Sequence, residues 1–163
     1  AMARLKGAEE WRWVVAEVER NAAGMDARQV AHSMWAFGKL QTTPSDAALA
    51  VFSRKLTGST SDFTAQEVSN CLWALAKLLI FPSLDLWHTA TTYLDAHLAQ
   101  LTAPEIALYL WTCARLELAP AGGPAAAQRL EAALVAKEHD ISAKAVANLT
   151  WSLARMRARA GDP

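Results

Sequence analysis

Apolar and polar positions follow one another along this chain with the periodicity of amphipathic helices. Around Trp73, at about 100° per residue with Val68 as the origin, Leu72, Leu75 and Leu79 point in nearly the same direction. The neighbours of this stripe are Cys71, Ala76 and Leu78. Trp73 itself lies about 140° from the origin, outside the stripe. The pattern predicts a helix that packs its leucine face into a core.

The same pattern occurs four times, as VAHSMWAFGKL, VSNCLWALAKL, IALYLWTCARL and VANLTWSLARM. The four tryptophans, spaced 38, 38 and 40 residues apart, are Trp35, Trp73, Trp111 and Trp151. Val or Ile stands five residues before each, Lys or Arg four after, and Gly or Ala three after. A fixed period of this length indicates tandem structural repeats. We expect the small residue to permit close approach of a neighbouring helix.

Each copy carries a helix-start signal nine residues before its tryptophan. The expected N-caps are Asp26, Thr64, Thr102 and Ser142. Gln or Glu stands three residues later in the first three copies, which predicts a capping box. An apolar residue precedes each cap at the spacing of a hydrophobic staple. We therefore predict four helices, called A-type here, from each cap to about six residues past the tryptophan.

A second set of helices, called B-type here, is expected between them. Pro44, Pro82 and Pro120 follow the first three tryptophans by nine residues, and we expect proline to end one helix and lie in the first turn of the next. The predicted segments are 45–56, 83–98 and 124–138, with Gly122 and Gly123 as an inter-helix turn. Residues 8–21 align with the second segment and are predicted as a B-type helix without its A-type partner.

These elements predict an all-α fold, an α-solenoid of tandem 38-residue helix-turn-helix repeats with a right-handed superhelix. We expect one unit over 1–163 with about three and a half repeats. Its parts are 8–21, 26–58, 64–98, 102–138 and 142–158. Because Leu149 and Leu153 on the last helix are ordinary repeat residues, we expect a longer array, or ends that dock onto something else.

Three columns of side chains are expected opposite the core face, one residue from each repeat. A cationic column comprises Lys39, Lys77, Arg115 and Arg155. A variable column comprises His32, Asn70, Leu108 and Asn148, and beside it stand Arg28, Gln66, Pro104 and Lys144. The cations suit an RNA backbone and the variable columns suit base reading. Alternatively, the cations stabilise helix C-termini through the helix dipole.

Two interpretations also remain for the tryptophans. Burial between repeats is the ordinary one for a large aromatic residue. The other is a platform on which the bases of a single strand stack.

Composition adds little that favours another class of protein. Formal net charge is +0, so nucleic-acid binding would depend on local charge. No apolar stretch reaches the length of a membrane span. Cys71 and Cys113 are expected to be buried thiols. The four histidines, His32, His88, His97 and His139, lack metal-ligand spacing, and no glycine-rich phosphate loop is present, so we expect no enzyme, metal or cofactor.

The period, the LWALAKL core around Trp73 and the proline between helices resemble the octotricopeptide repeat family over about residues 8–157. The proline-rich opening of the family's second helix is reduced here, and its Glu-Trp pair survives as Glu10-Trp11 and loosely at Trp87. The resemblance implies single-stranded RNA as partner, about one nucleotide per repeat, and a role in RNA stability, processing, splicing or translation. It also implies a chloroplast or mitochondrial location.

A scaffold function competes with RNA binding. Helix-pair solenoids present extended surfaces that bind proteins as well as RNA, and zero net charge favours this alternative. Such a chain would be a structural subunit of an organellar ribosome or another large assembly. Ion pairing of the cationic column with acids such as Glu117 would favour the scaffold.

Overall fold

The computed structural model describes residues 11–159 and is all-α over that range, with no strand. Its helices are α1 Arg12–Asn21, α2 Ala27–Leu40, α3 Asp46–Gly58, α4 Ala65–Leu78, α5 Leu84–Ala96, α6 Ala103–Leu116, α7 Gly123–Val135 and α8 Ala143–Arg159. The beginning of the predicted segment 8–21, including Glu10, lies outside the described residues. Within residues 11–159, no helix is long and apolar enough to span a membrane.

The predicted caps begin the A-type helices α2, α4, α6 and α8. The Asp26 carboxylate accepts from the Gln29 backbone N–H at 2.8 Å, and the Gln29 side chain accepts from the Asp26 backbone N–H at 2.9 Å. Thr64 and Glu67 make the same reciprocal pair. At α8, the Ser142 hydroxyl accepts from the Ala145 backbone N–H at 3.2 Å. Side chains thus satisfy N–H groups that the helix leaves without partners.

The cap of α6 differs in the direction of one hydrogen bond. The Glu105 carboxylate accepts from the Thr102 backbone N–H at 2.7 Å and from its hydroxyl at 2.9 Å. The capping pair is still Thr102 and Glu105, as the sequence predicts.

The placement of Pro44, Pro82 and Pro120 in the first turn of the B-type helices is wrong, because each of them precedes the N-cap of the next helix, which for α7 is Gly122. Helices α3 and α5 begin after Ser45 and Ser83, whose hydroxyls accept from backbone N–H groups three residues on. Pro44 and Pro82 therefore precede the N-cap. The two prolines disfavour helical conformation in the residue before them, and serine provides the cap. Gly122 and Gly123, both at positive φ, form the turn into α7.

Three A-type helices end on a residue in the left-handed conformation, and none of the three is glycine. These residues are Gln41, Leu79 and Glu117, with φ of 54°, 58° and 60°. Backbone bonds such as Ile80 N–H to Leu75 C=O, at 2.9 Å, close each end as a Schellman motif. The placement of Leu79 on the core face is therefore wrong, because the helix stops at Leu78 and Leu79 is 53% exposed.

The helices pack in two rows. The A-type helices contact one another in chain order, α2 with α4, α4 with α6 and α6 with α8. In the second row α3 contacts α5 and α5 contacts α7, and each of these three B-type helices also contacts the A-type helix before it. The core lies between the rows, where Val30, Val68 and Ile106 are completely buried. The remaining predicted stripe residues, Leu72 and Leu75, are buried with them.

Gly38 marks a close approach between α2 and α4. A Cβ atom at Gly38 would lie 2.9 Å from Cζ3 of Trp73 and 3.2 Å from the Cα of Ala74. Both distances are shorter than ordinary van der Waals contact. The expectation that a small residue permits close helix approach is confirmed at this position.

The B-type helix α5 is tied to the segment between α6 and α7. The Trp87 indole N–H donates to the Ala119 carbonyl at 2.7 Å. The Thr91 hydroxyl accepts from the Ala121 backbone N–H at 3.1 Å. Nearby, Arg129 on α7 donates from two nitrogens to the Asp95 carboxylate of α5. These polar contacts add directional constraints to the apolar packing between neighbouring B-type helices.

The two cysteines are free and buried, as the sequence predicts. Burial raises the pKa of both the Cys71 and the Cys113 thiols to about 12. A thiol with so high a pKa is a poor nucleophile at neutral pH, because the reactive form is the thiolate. Both residues serve as packing groups of the core.

Candidate nucleic-acid interface

A groove of about 510 Å³ runs across all four A-type helices. Its lining residues come from α2, α4, α6 and α8 and from the residue that ends α2. They are Trp35, Gly38, Lys39, Gln41, Trp73, Lys77, Leu108, Trp111, Lys144 and Asn148. The groove thus collects equivalent positions of successive A-type helices on one surface.

Helical spacing places the cation beside the aromatic ring within one helix. Trp35 and Lys39 are four residues apart on α2 and therefore share a face. The Lys39 Nζ lies over the Trp35 ring, 5.1 Å from its centroid. It also lies over the Trp73 ring of α4, 5.3 Å from that centroid. One ammonium group is thus shared by two indoles on neighbouring helices.

The groove has a cationic lining although the whole chain has formal net charge +0. Lys39, Lys77 and Lys144 line it, and none of the described residues that line it is a carboxylate. Local charge placement, the condition for nucleic-acid binding by a neutral chain, is therefore present on this surface.

The structure brings together five of the predicted site residues and separates others. Lys39, Lys77, Leu108, Lys144 and Asn148 line the groove. His32 instead lines a depression of about 480 Å³ beside Asn21 and Gln29, and Arg28 lines another beside Lys55 and Asp62. Gln66 is exposed, whereas Asn70 and Arg115 are half-buried, and these three are not among the residues that line the groove. The columns are therefore less uniform than the sequence predicts.

Arg155, the last member of the cationic column, is engaged by its neighbours. Its guanidinium donates to the Glu117 carboxylate at 2.6 Å and, from Nε, to the Ala114 carbonyl of α6 at 3.2 Å. It thus binds the C-terminal end of the adjacent A-type helix, a favourable place for a cation. The prediction that all four residues of the cationic column are available to an RNA backbone is therefore not supported at Arg155. This is the kind of pairing that the scaffold alternative expects.

The tryptophans are more exposed than burial between repeats predicts. Trp35 is 44% exposed and Trp151 is 40% exposed, whereas Trp73 and Trp111 are half-buried against the core. By contrast, Trp87 of α5 is only 6% exposed. The interpretation of these residues as buried anchors is therefore wrong for Trp35 and Trp151 and holds only partly for the inner pair. The sequence contained one sign of this exposure, because Trp73 lies about 140° from Val68 and therefore outside the core stripe.

At the far end of the row the aromatic residues contact each other. The Trp111 and Trp151 ring centroids are 6.1 Å apart with an interplanar angle of 35°. The Arg155 guanidinium lies over the Trp151 ring at 5.7 Å. At this end of the row, the Trp151 ring is therefore held by both another indole and a guanidinium group.

No group of three or more His, Cys, Asp or Glu residues suited to a metal ion occurs in the described part of the chain.

Comparison of the chain with protein-family models finds no match, and comparison with curated proteins finds no significant similarity. The assignment of function therefore depends on the geometry of the groove.

Proposed function

We propose that this protein binds single-stranded RNA along the exposed surface of its A-type helices. The observation that carries the proposal is the groove, which is lined by three lysines and three tryptophans and by no carboxylate among the described residues. Lysines neutralise phosphates, and aromatic rings supply base-tolerant contact with unpaired bases. A duplex offers no exposed base faces, so the combination favours single strands.

The proposed architecture is the α-solenoid of tandem 38-residue repeats with a right-handed superhelix. The order of contacts within each helix row supports it, because neighbours along the chain are neighbours in space. The family it resembles, the octotricopeptide repeat proteins, implies a role in organellar RNA stability, processing or translation, in a chloroplast or mitochondrion.

Within the groove we assign phosphate contacts to Lys39, Lys77 and Lys144. Lys144 takes this role because its ammonium is a strongly hydrated point charge suited to phosphate. Base contacts are assigned to Asn148 and Leu108, which lie in the same groove. Asn70 and Gln66 are base-contact candidates on α4, and Arg115 is a backbone candidate on α6, all on the same row of helices. His32 and Arg28 would contact RNA only if the strand extended past the groove.

A scaffold role is the second candidate, favoured by the Arg155–Glu117 ion pair and by the neutral net charge. In that case the surface of the A-type helices would contact another subunit of a ribosome or a similar assembly. The lysines of the groove argue for RNA over protein as the partner, since an uncompensated row of cations favours a polyanion.

Fluorescence anisotropy with a labelled pool of single-stranded RNAs tests the proposal. Titrations at two salt concentrations, with a duplex RNA of the same length as the comparison, separate backbone attraction from single-strand recognition. We expect salt-sensitive binding that prefers the single strand. An absence of RNA binding at both salt concentrations would contradict the proposal and favour the scaffold.

A further inference from the structure

Trp35, Lys39 and Trp73 form an aromatic pair that holds a cation. Lys39 lies over both rings, so the two indole faces are directed at one point in the groove. The edge of the Trp73 ring is fixed on the other side, because its Cζ3 rests where Gly38 lacks a side chain. The Trp73 ring is therefore anchored by its edge and remains only half-buried.

We propose that Trp35 and Trp73 are stacking surfaces for the unpaired bases of an RNA strand, and that Lys39 occupies both of them until the strand arrives. The inference rests on the proposed function and specifies its chemistry. On binding, the Lys39 ammonium moves from the rings to a phosphate, and bases take its place against the indoles. No covalent step is involved.

The energies favour this exchange. Lys39 gives up two cation–π contacts in the exchange, one with Trp35 and one with Trp73. A cation held over an exposed ring is bound more weakly than a base stacked on the same ring, and the displaced ammonium gains a phosphate partner. Lys39 therefore hinders binding only slightly while it keeps the rings covered in the free protein.

The far end of the row provides a matched control within the same chain. Trp151 occupies the equivalent position to Trp35 and is similarly exposed, 40% against 44%. Its ring, however, contacts Trp111 and Arg155, and Arg155 is bound to Glu117. A base would have to break this set of contacts, so we expect stacking at the Trp35 end and little at the Trp151 end.

The experiment compares Trp35→Leu with Trp151→Leu in binding to a labelled eight-nucleotide RNA and to an abasic ribose-phosphate strand of the same length. We expect Trp35→Leu to weaken RNA binding by about fivefold to a hundredfold, and Trp151→Leu by less than about twofold, which is the scale expected without a lost stacked base. The abasic strand should bind more weakly than RNA to the wild-type chain. Trp35→Phe, which keeps an aromatic face, should restore most of the affinity.

Several outcomes would overturn the inference. Equal binding of RNA and the abasic strand would exclude base stacking but would leave the proposed RNA function intact. Equal losses of RNA affinity in Trp35→Leu and Trp151→Leu would exclude preferential stacking of bases at the Trp35 end. Failure of every strand to bind would contradict the proposed function itself. Circular dichroism shows whether the Trp35→Leu variant is folded. If it is not, RNA binding by Trp35→Phe and the comparison with the abasic strand still test whether bases stack on this residue.

Discussion

Replacing Gly38 with alanine tests the packing that positions the groove. The added methyl group would lie 2.9 Å from a Trp73 ring carbon and 3.2 Å from the Ala74 Cα. Overpacking of this kind costs about 1–3 kcal/mol, whereas alanine in a helix gains about 1 kcal/mol over glycine. We therefore expect Gly38→Ala to be neutral or to lower the free energy of unfolding by up to about 2 kcal/mol.

The matched control is Gly58→Ala at the end of α3, where a Cβ atom would meet nothing within 4 Å. This change should raise the free energy of unfolding by up to about 1 kcal/mol. Urea denaturation of the two variants and the wild type measures the difference. In a Trp73→Leu background, the loss caused by Gly38→Ala should shrink, because the nearest contact is gone. If the two glycine variants were stabilised equally, α2 and α4 would not approach as closely as described.

Three further changes test other parts of the structure. Leu79→Gly should raise the free energy of unfolding by about 0.5–1 kcal/mol, because glycine adopts φ of 58° without strain; a chemical melt in which Leu79→Ala is equally stabilising would contradict this. Trp87→Phe should lower it by about 1–3 kcal/mol in the same assay by leaving the Ala119 carbonyl without its indole partner, and an unchanged midpoint would show that the bond contributes little. Cys71 and Cys113, with pKa values raised to about 12 by burial, should react slowly with a thiol reagent at pH 8 until denaturant is added; rapid reaction in the native state would contradict their burial.

The start of each A-type helix was predictable because it depends on local chemistry. Asp26 with Gln29 and Thr64 with Glu67 satisfy their own first turn wherever the helix lies in the fold. The C-terminal ends were less accessible to prediction. Leu79 lies in register with the core stripe, but the Schellman bonds end the helix one residue earlier and turn it outward.

The candidate site was predicted in part. Periodicity placed Lys39 and Lys77 on an exposed face, because that depends only on helix geometry. Periodicity carried no information about which residues of different helices meet, so the shared contact of Lys39 with Trp35 and Trp73 was not expected. The Arg155–Glu117 pair is likewise a contact between helices; the sequence named Glu117 as a possible partner without deciding the matter.

The salt dependence of RNA binding tests the central claim most directly. The double variant Lys39→Gln/Lys77→Gln removes two lysines from the groove, and Arg12→Gln/Arg54→Gln removes the same charge from the B-type helices α1 and α3. For single strands each lost phosphate contact lowers the slope of log affinity against log salt by about 0.7, so the groove variant should lose about 1.4 and the control variant nothing. Equal slopes in the two variants, or no RNA binding by the wild-type chain, would contradict the proposal that this groove binds RNA.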